Sequence, residues 1–278
     1  MGPYTAPITA KIFSFTLIFL ITLFFTPLHA SEVEREYFSN GSLKSERCLS
    51  NGVPHGITRY YYENGNLMGE HSYQDGLLHG TSKEFYESGT VRYERTYKNG
   101  NIDGVGTFYY QGGQVMEQCA YRNGKQDGLS STYYESGDIK LQRQYKDGNP
   151  DGISRSFFEG GKISAEGFYL SGTPDGVCKQ YYESGKLKVL SHLKAGKLHG
   201  IKTDFHENGA IMYEWNYENG LKQGISKAYY EVGTLRAESN YNNGLLNGVS
   251  KLYYSSGTLH CVDAYENGER VSRQAYDQ

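Results

Sequence analysis

An all-β repeat protein, built from ten 24-residue β-hairpin units in an elongated, twisted antiparallel sheet, is the fold this chain predicts. Three observations predict it. Glycine recurs at Gly41, Gly65, Gly89 and onward to Gly257 in an unbroken step of 24, and a second series runs at the same step from Gly52 to Gly268. A third series runs from Gly56 to Gly248, and the three hold 29 of the 35 glycines. Aromatics fill the column Tyr37, Tyr61, Phe85, Tyr109, Tyr133, Phe157, Tyr181, Phe205, Tyr229 and Tyr253, and nine of the ten positions that follow them, His206 being the exception. Aromatic and β-branched runs between glycine punctuation read as short strands. Glycine this frequent leaves no segment long enough for a stable helix.

The N-terminal thirty residues are of different material. They hold one base, Lys11, and no acid, and the apolar run Ile12 to Phe25 is followed by Leu28 and Ala30 at the minus-three and minus-one positions of a cleavage site. Fourteen apolar residues suit a signal-peptide core better than a membrane span of about 20. Residues 1–30 therefore read as a signal peptide, with an uncleaved anchor through residues 12–28 as the alternative, and the remainder is expected to be periplasmic or secreted. Loss of Lys11 takes the net charge from -3 to -4.

Residues 31–278 then form a single array. Eight of the ten residues before the second glycine series are Asn or Asp, as in Asn51, Asp75 and Asn99, the strongest short-range hairpin signal. The third series is preceded by His55, His79, Asp103, Asp127, Asp151, Asp175, His199, Gln223 and Asn247, mostly types tolerant of positive φ, so a turn is expected there too. A four-residue turn Glu63 to Asn66, flanked by Tyr62 and Leu67, sets Arg59 opposite Glu70, Lys83 opposite Glu94, Arg155 opposite Glu166 and Lys227 opposite Glu238. Such pairs contribute roughly 0.2 to 1 kcal/mol each and fix register. Stacking of the aromatic and Leu67-type columns between neighbouring hairpins is expected to stabilise the array more than these pairs do. The polar stretch 269–278 reads as a C-terminal cap.

The unit from Tyr61 through Gly65, Leu67, Glu70, Tyr73 and Asp75-Gly76 to Gly80 resembles the bacterial variant of the MORN repeat, found in YwqK-type antitoxins of toxin-antitoxin systems. The resemblance covers about Glu36 to Gly268. It implies a hairpin array, no enzyme activity, and a role in binding another protein, such as a toxin; an exported envelope scaffold or membrane-surface module is the alternative.

Other chemistry finds little support in the residues. With 28 Lys plus Arg against 31 Asp plus Glu, there is no basic excess for nucleic acid. The column Asp103, Asp127, Asp151, Asp175 invites calcium, yet its members fall about 10 Å apart, against ligand distances of about 2.3 to 2.6 Å. The histidines form no ligand motif, so neither metal nor cofactor is expected. Cys48, Cys119, Cys178 and Cys261 stand at least two units apart, beyond the roughly 7 Å reach of a disulfide, and are expected as free thiols. Membrane contact is expected only through the N-terminal segment. The stretch that departs furthest from the consensus carries Leu190 for Glu, Leu193 for Tyr, His206 for an aromatic, and Trp215, the single tryptophan. These four are the candidate partner-binding residues.

Overall fold

The structure is a computed structural model that describes residues 31–276. The signal-peptide reading and the Ile12 to Phe25 run lie outside the described residues. Within them there are 27 strands and no helix, all antiparallel and joined in one open sheet in which each strand pairs with its neighbours in sequence.

One unit shows how the sequence builds the array. The strand Gly56–Tyr61 leads through a loop into Leu67–Gln74, a two-residue turn at Asp75 and Gly76 follows, and Leu77–Leu78 begins the return to Gly80–Phe85. At the two-residue turn both residues have positive φ, 50° at Asp75 and 81° at Gly76, and Gln74 pairs with Leu77 across it. This is the type I′ geometry that Asn-Gly and Asp-Gly favour. Ser171 and Ala195 adopt the same φ, 48° and 49°, although their side chains do not favour it. The turn is imposed by the pairing on either side.

Two expectations are corrected. The third glycine series does not mark a turn: His55 is absent from the positive-φ residues, Gly56 alone has φ of 92°, and His55 N–H donates to the Cys48 carbonyl at 2.9 Å. Leu49 pairs with Pro54 and Glu46 with Arg59, so the later strand carries two extra residues and bulges. The long loop is also shifted by one. Tyr61, not Tyr62, pairs with Leu67, Tyr62 N–H donates to the Asn66 carbonyl, and Tyr60 pairs with Gly69, leaving Met68 as an extra residue. That bulge restores the expected register, so Arg59 faces Glu70, Lys83 faces Glu94, Arg155 faces Glu166 and Lys227 faces Glu238.

Successive units are tied together at both margins of the sheet. At the turn margin the Gly76 N–H donates to the Pro54 carbonyl, Gly100 to Leu78 and Gly124 to Ile102, a pattern that runs on to Gly268 and Leu246. The acid column acts here. Asp103, Asp151 and Asp175 each accept the N–H of the next unit's turn residue, Asn123, Ser171 and Ala195, at 2.9 to 3.1 Å, and Gln223 does the same for Asn243. At the loop margin the hydroxyls of Tyr62, Tyr86, Tyr110, Tyr134, Tyr182 and Tyr230 donate to carbonyls of Phe85, Tyr109, Tyr133, Phe157, Phe205 and Tyr253. Phe158 has no hydroxyl to offer. Tyr134→Phe, which removes a 2.8 Å half-buried bond, is expected to cost about 1 kcal/mol in urea unfolding.

The two faces differ. One carries an unbroken row across the sheet from Arg35 through Glu46, Arg59, Glu70 and Lys83 to Glu94, then on through neutral Thr107, Gln118, Ser131 and Gln142 to Arg155 and beyond. Side chains alternate across a strand, so the opposite face carries the neighbouring row, where Thr58, Ser82, Ser130, Ser154, Ser226 and Ser250 are buried. These are called the charged face and the serine face. Burial beneath a single layer requires same-face neighbours to lean over: a Cβ on Gly106 would lie 3.2 Å from the Tyr121 ring and 3.5 Å from Arg95.

Candidate protein-binding face

The central rows of the serine face do not repeat. Along the position that Trp215 occupies, successive units place His71, Arg95, Cys119, Arg143, Gly167, Ser191, Trp215, Ser239 and Asp263. The position of Asp204 is equally varied, with Tyr60, Glu84, Phe108, Thr132, Ser156, Gln180, Ala228 and Leu252 in the other units. The loops and turns repeat almost unchanged, whereas these columns, like the charged-face column Ser72, Thr96, Ala120, Gln144, Phe168 and His192, differ from unit to unit.

Its densest cluster surrounds Trp215. The strand Ile211–Glu218 holds Tyr213 and Trp215 on the same side, their rings stacked at 5.1 Å and 22°. The indole Nε1 donates to Asp204 Oδ2 at 3.0 Å, and Lys202 Nζ donates to both Asp204 oxygens at 2.6 and 2.8 Å. Lys222 reaches back from the following short strand and sets its ammonium 3.5 Å from the Trp215 ring centroid and 5.0 Å from that of Tyr241. Arg236 Nη2 donates to the Tyr213 hydroxyl at 3.2 Å. Two cations thus flank a stacked aromatic pair, a geometry worth about 0.5 to 2 kcal/mol per contact.

Burial tunes the ionisable groups here. It lowers the Lys222 ammonium from its ordinary value, with nearby Lys202 adding to the shift. It raises the Tyr217 phenol, assisted by Asp204, and the Tyr241 phenol, assisted by Tyr217 and Tyr265. On the charged face the Tyr229 phenol is pushed up to about 12 by burial and by its 2.6 Å bond to Glu214.

The four candidate residues do not form one site. Leu193 and Trp215 share the serine face, and Leu193 lines a trough of about 330 Å3 with Arg143, Tyr169 and Cys178. Leu190 lies on the charged face between Lys179 and Thr203, where it interrupts the alternation of charge and leaves Lys179 4.0 Å from Glu166 on its other side. His206 sits at the loop margin, its N–H bonded to the Ala210 carbonyl and its Nε2 enclosed without a partner. There it replaces a tyrosine that would tie its unit to the next. Lys202, Asp204, Tyr213 and Lys222 are the members of the cluster absent from the sequence-based candidates. Asp204 and Tyr213 occupy columns with no consensus, whereas Lys202 replaces the small residue of the serine column and Lys222 the Pro, Leu or Ile that most units carry there, a departure that could have found them.

Among the described residues no group of three or more His, Cys, Asp or Glu side chains could hold a metal ion, and all four cysteines are free.

A family model described as a MORN repeat variant matches residues 54–75, 78–99, 102–123, 126–147, 150–170, 174–195, 198–219 and 222–243. The units at either end lie outside the matched segments. No curated protein matches the chain. Among solved structures, the crystal structures of TcdB2-TccC3-Cdc42 and TcdB2-TccC3-TEV are similar over 89% of this chain, at 11% and 10% identity, each with a TM-score of 0.17. The chain spans 13% and 14% of their lengths.

Proposed function

The chain belongs to the MORN repeat variant family, and from that premise we propose that it is an exported, non-catalytic module that binds another protein through its serine face, similar in role to the YwqK-type antitoxins it resembles. MORN repeats are generally protein- or membrane-interaction modules and generally non-catalytic. The observation that carries the reading is the cluster on the serine face where two cations and a carboxylate meet a stacked aromatic pair, at Lys202, Asp204, Tyr213, Trp215 and Lys222. Repeat arrays commonly present an extended surface to partners, and buried Trp, Tyr and Arg are the side chains most often dominant at interfaces. The partner in this reading is a protein toxin acting outside the cytoplasm.

The immobilised chain should capture such a partner from extracts of its own cells. Trp215→Ala and Lys222→Gln should each weaken capture at least tenfold, while Lys98→Gln at the exposed turn margin should not. Circular dichroism of each variant establishes that the sheet persists. Equal capture by all variants would remove the serine face as the binding surface. Flotation with anionic vesicles separates the membrane-surface alternative; with a net charge of -4 after loss of Lys11, no binding is expected.

A further inference from the structure

The charged face between Ile201 and Val249 carries two periodic patterns with the same phase. Ile201, Ile225 and Val249 stand in line, 56%, 55% and 52% exposed, with consecutive members two long strands, or about 10 Å, apart. A hollow of about 370 Å3 separates Ile201 from Ile225, bordered by Glu214, Lys227 and Glu238. Another of about 410 Å3 separates Ile225 from Val249, bordered by Glu238, Asn240 and Lys251. Beside this line of knobs and hollows, Glu214, Lys227, Glu238 and Lys251 alternate in sign, one per long strand. Further along the same row Arg59–Glu70, Lys83–Glu94 and Arg155–Glu166 close into ion pairs at 2.7 to 3.3 Å. Among the described residues none of the four later charges does so, although they are neighbours in register; Glu214 instead accepts the Tyr229 hydroxyl at 2.6 Å.

We propose that this surface is a homodimer contact, on which a second copy of the chain packs about a two-fold axis running along the strands. Such an axis keeps each row over its own row and reverses the order of the strands. Placed between the Lys227 and Glu238 strands, it sets Lys227 against Glu238 of the second copy and Glu214 against its Lys251, each pair occurring twice. The same placement sets Ile225 over the hollow between Ile225 and Val249 of the second copy, and Val249 over the hollow between its Ile201 and Ile225. A shift by one strand would bring knob onto knob and like charge onto like charge. Charge and shape therefore demand the same offset.

Facing sheets lie about 10 Å apart, a gap that Lys and Glu side chains close from both sides. Six strands about 4.8 Å apart, each contributing about six residues, bury roughly 1,100 Å2 in total, near the lower limit for a specific interface. The dimer is accordingly weak and concentration-dependent, with the charges setting register more than affinity. Elsewhere the patterns coincide over fewer strands, as at Ile153 and Val177 beside Arg155, Glu166 and Lys179, where Arg155 and Glu166 already close an ion pair and Leu190 ends the alternation. Thr81 stands in the apolar line, and the row from Thr107 to Gln142 is uncharged. The side chains that make the contact lie opposite the serine face, although Trp215 also lines the hollow between Ile201 and Ile225.

Sedimentation velocity on the purified full chain over a concentration series tests this. A reversible monomer-dimer equilibrium is expected, weakened at least tenfold by Ile225→Asp, by Lys227→Glu and by Glu238→Lys, with Ile225→Ser in reserve if the Asp variant does not fold. The decisive measurement is the mixture of Lys227→Glu with Glu238→Lys. Each variant opposes like charges within its own sheet and in its own homodimer, yet each presents to the other the charges that the contact requires. The mixture should dimerise within about threefold of the unaltered chain. A chain monomeric at all concentrations, variants that dimerise unchanged, or a mixture no better than its components would overturn the proposal.

Discussion

Gly128→Ala is expected to destabilise the array by about 3 kcal/mol, the sum of backbone strain and overpacking. Gly128 has φ of 115°, outside the left-handed region that side chains tolerate, and an added Cβ would lie 3.1 Å from the Cβ of Ala120. Neither can be relieved by rotating a side chain. The bulge it occupies is what lets Lys125–Tyr133 pair with the preceding strand before and after two extra residues. Loss of the bulge would slip the register of every pair beyond it. Gly137→Ala isolates the strain alone, since φ there is 93° but nothing lies within 4 Å of the added atom; a loss of about 1 kcal/mol is expected for it. Urea unfolding checks both. For Gly128→Ala the slope should also fall, because units that couple only to their neighbours separate into two halves when a central junction weakens.

Asp263→Asn is expected to release the terminal strand Glu269–Ala275 while leaving the rest of the sheet folded. Every residue of that strand is exposed, so no apolar burial holds it. What holds it besides the backbone ladder is Asp263, 1% exposed, which accepts Arg273 Nε at 2.6 Å and Nη2 at 2.7 Å. The hydrogen bonds from Arg273 hold the Asp263 carboxyl below its ordinary range despite its burial, and the same bonds raise the Arg273 guanidinium. A carboxyl with a folded pKa below its unfolded value stabilises fully above about pH 4 and loses that contribution as pH falls through the folded value. Hydrogen exchange should therefore show the terminal strand protected at neutral pH, unprotected in Asp263→Asn, and increasingly unprotected in the unaltered chain below about pH 4. Equal protection in both proteins at pH 7 would show that the ion pair does not secure the strand.

The repeat, the type I′ turns and the strand register were readable from spacing alone, because each depends on residue types whose backbone preferences are strong. Asn51-Gly52 and its equivalents reach the expected turn, and Arg59 faces Glu70 as the hairpin arithmetic requires. Bulges were not readable. Gly56 and Met68 add residues to one strand without changing the 24-residue period, so nothing in the spacing separates a bulge from a turn or a five-residue loop from a four-residue one. The calcium-like spacing of Asp103, Asp151 and Asp175 conceals a backbone role, that of accepting a neighbouring turn's N–H. The binding face was legible only in part. Trp215 stood out as a singular residue, but Asp204 sits in a column where no consensus exists to be broken, and Lys202 and Lys222 replace small or apolar residues at positions outside the glycine and aromatic columns that define the repeat. Recognising them as one cluster requires knowing which alternate residues share a face.

Strict pairing of each strand with its neighbours in sequence has a consequence for how the chain reaches this form. Hydrogen bonds between successive units span at most 23 positions, as between Tyr62 and Phe85 or Tyr230 and Tyr253. No step of assembly needs to wait for a distant partner, so loop-closure entropy is small at every stage and contact order is low for an all-β protein. The first hairpins can form while later ones are still extended, and each new unit finds a finished edge to grow upon. A chain threaded from one end through a narrow passage could complete its structure in the order in which it emerges.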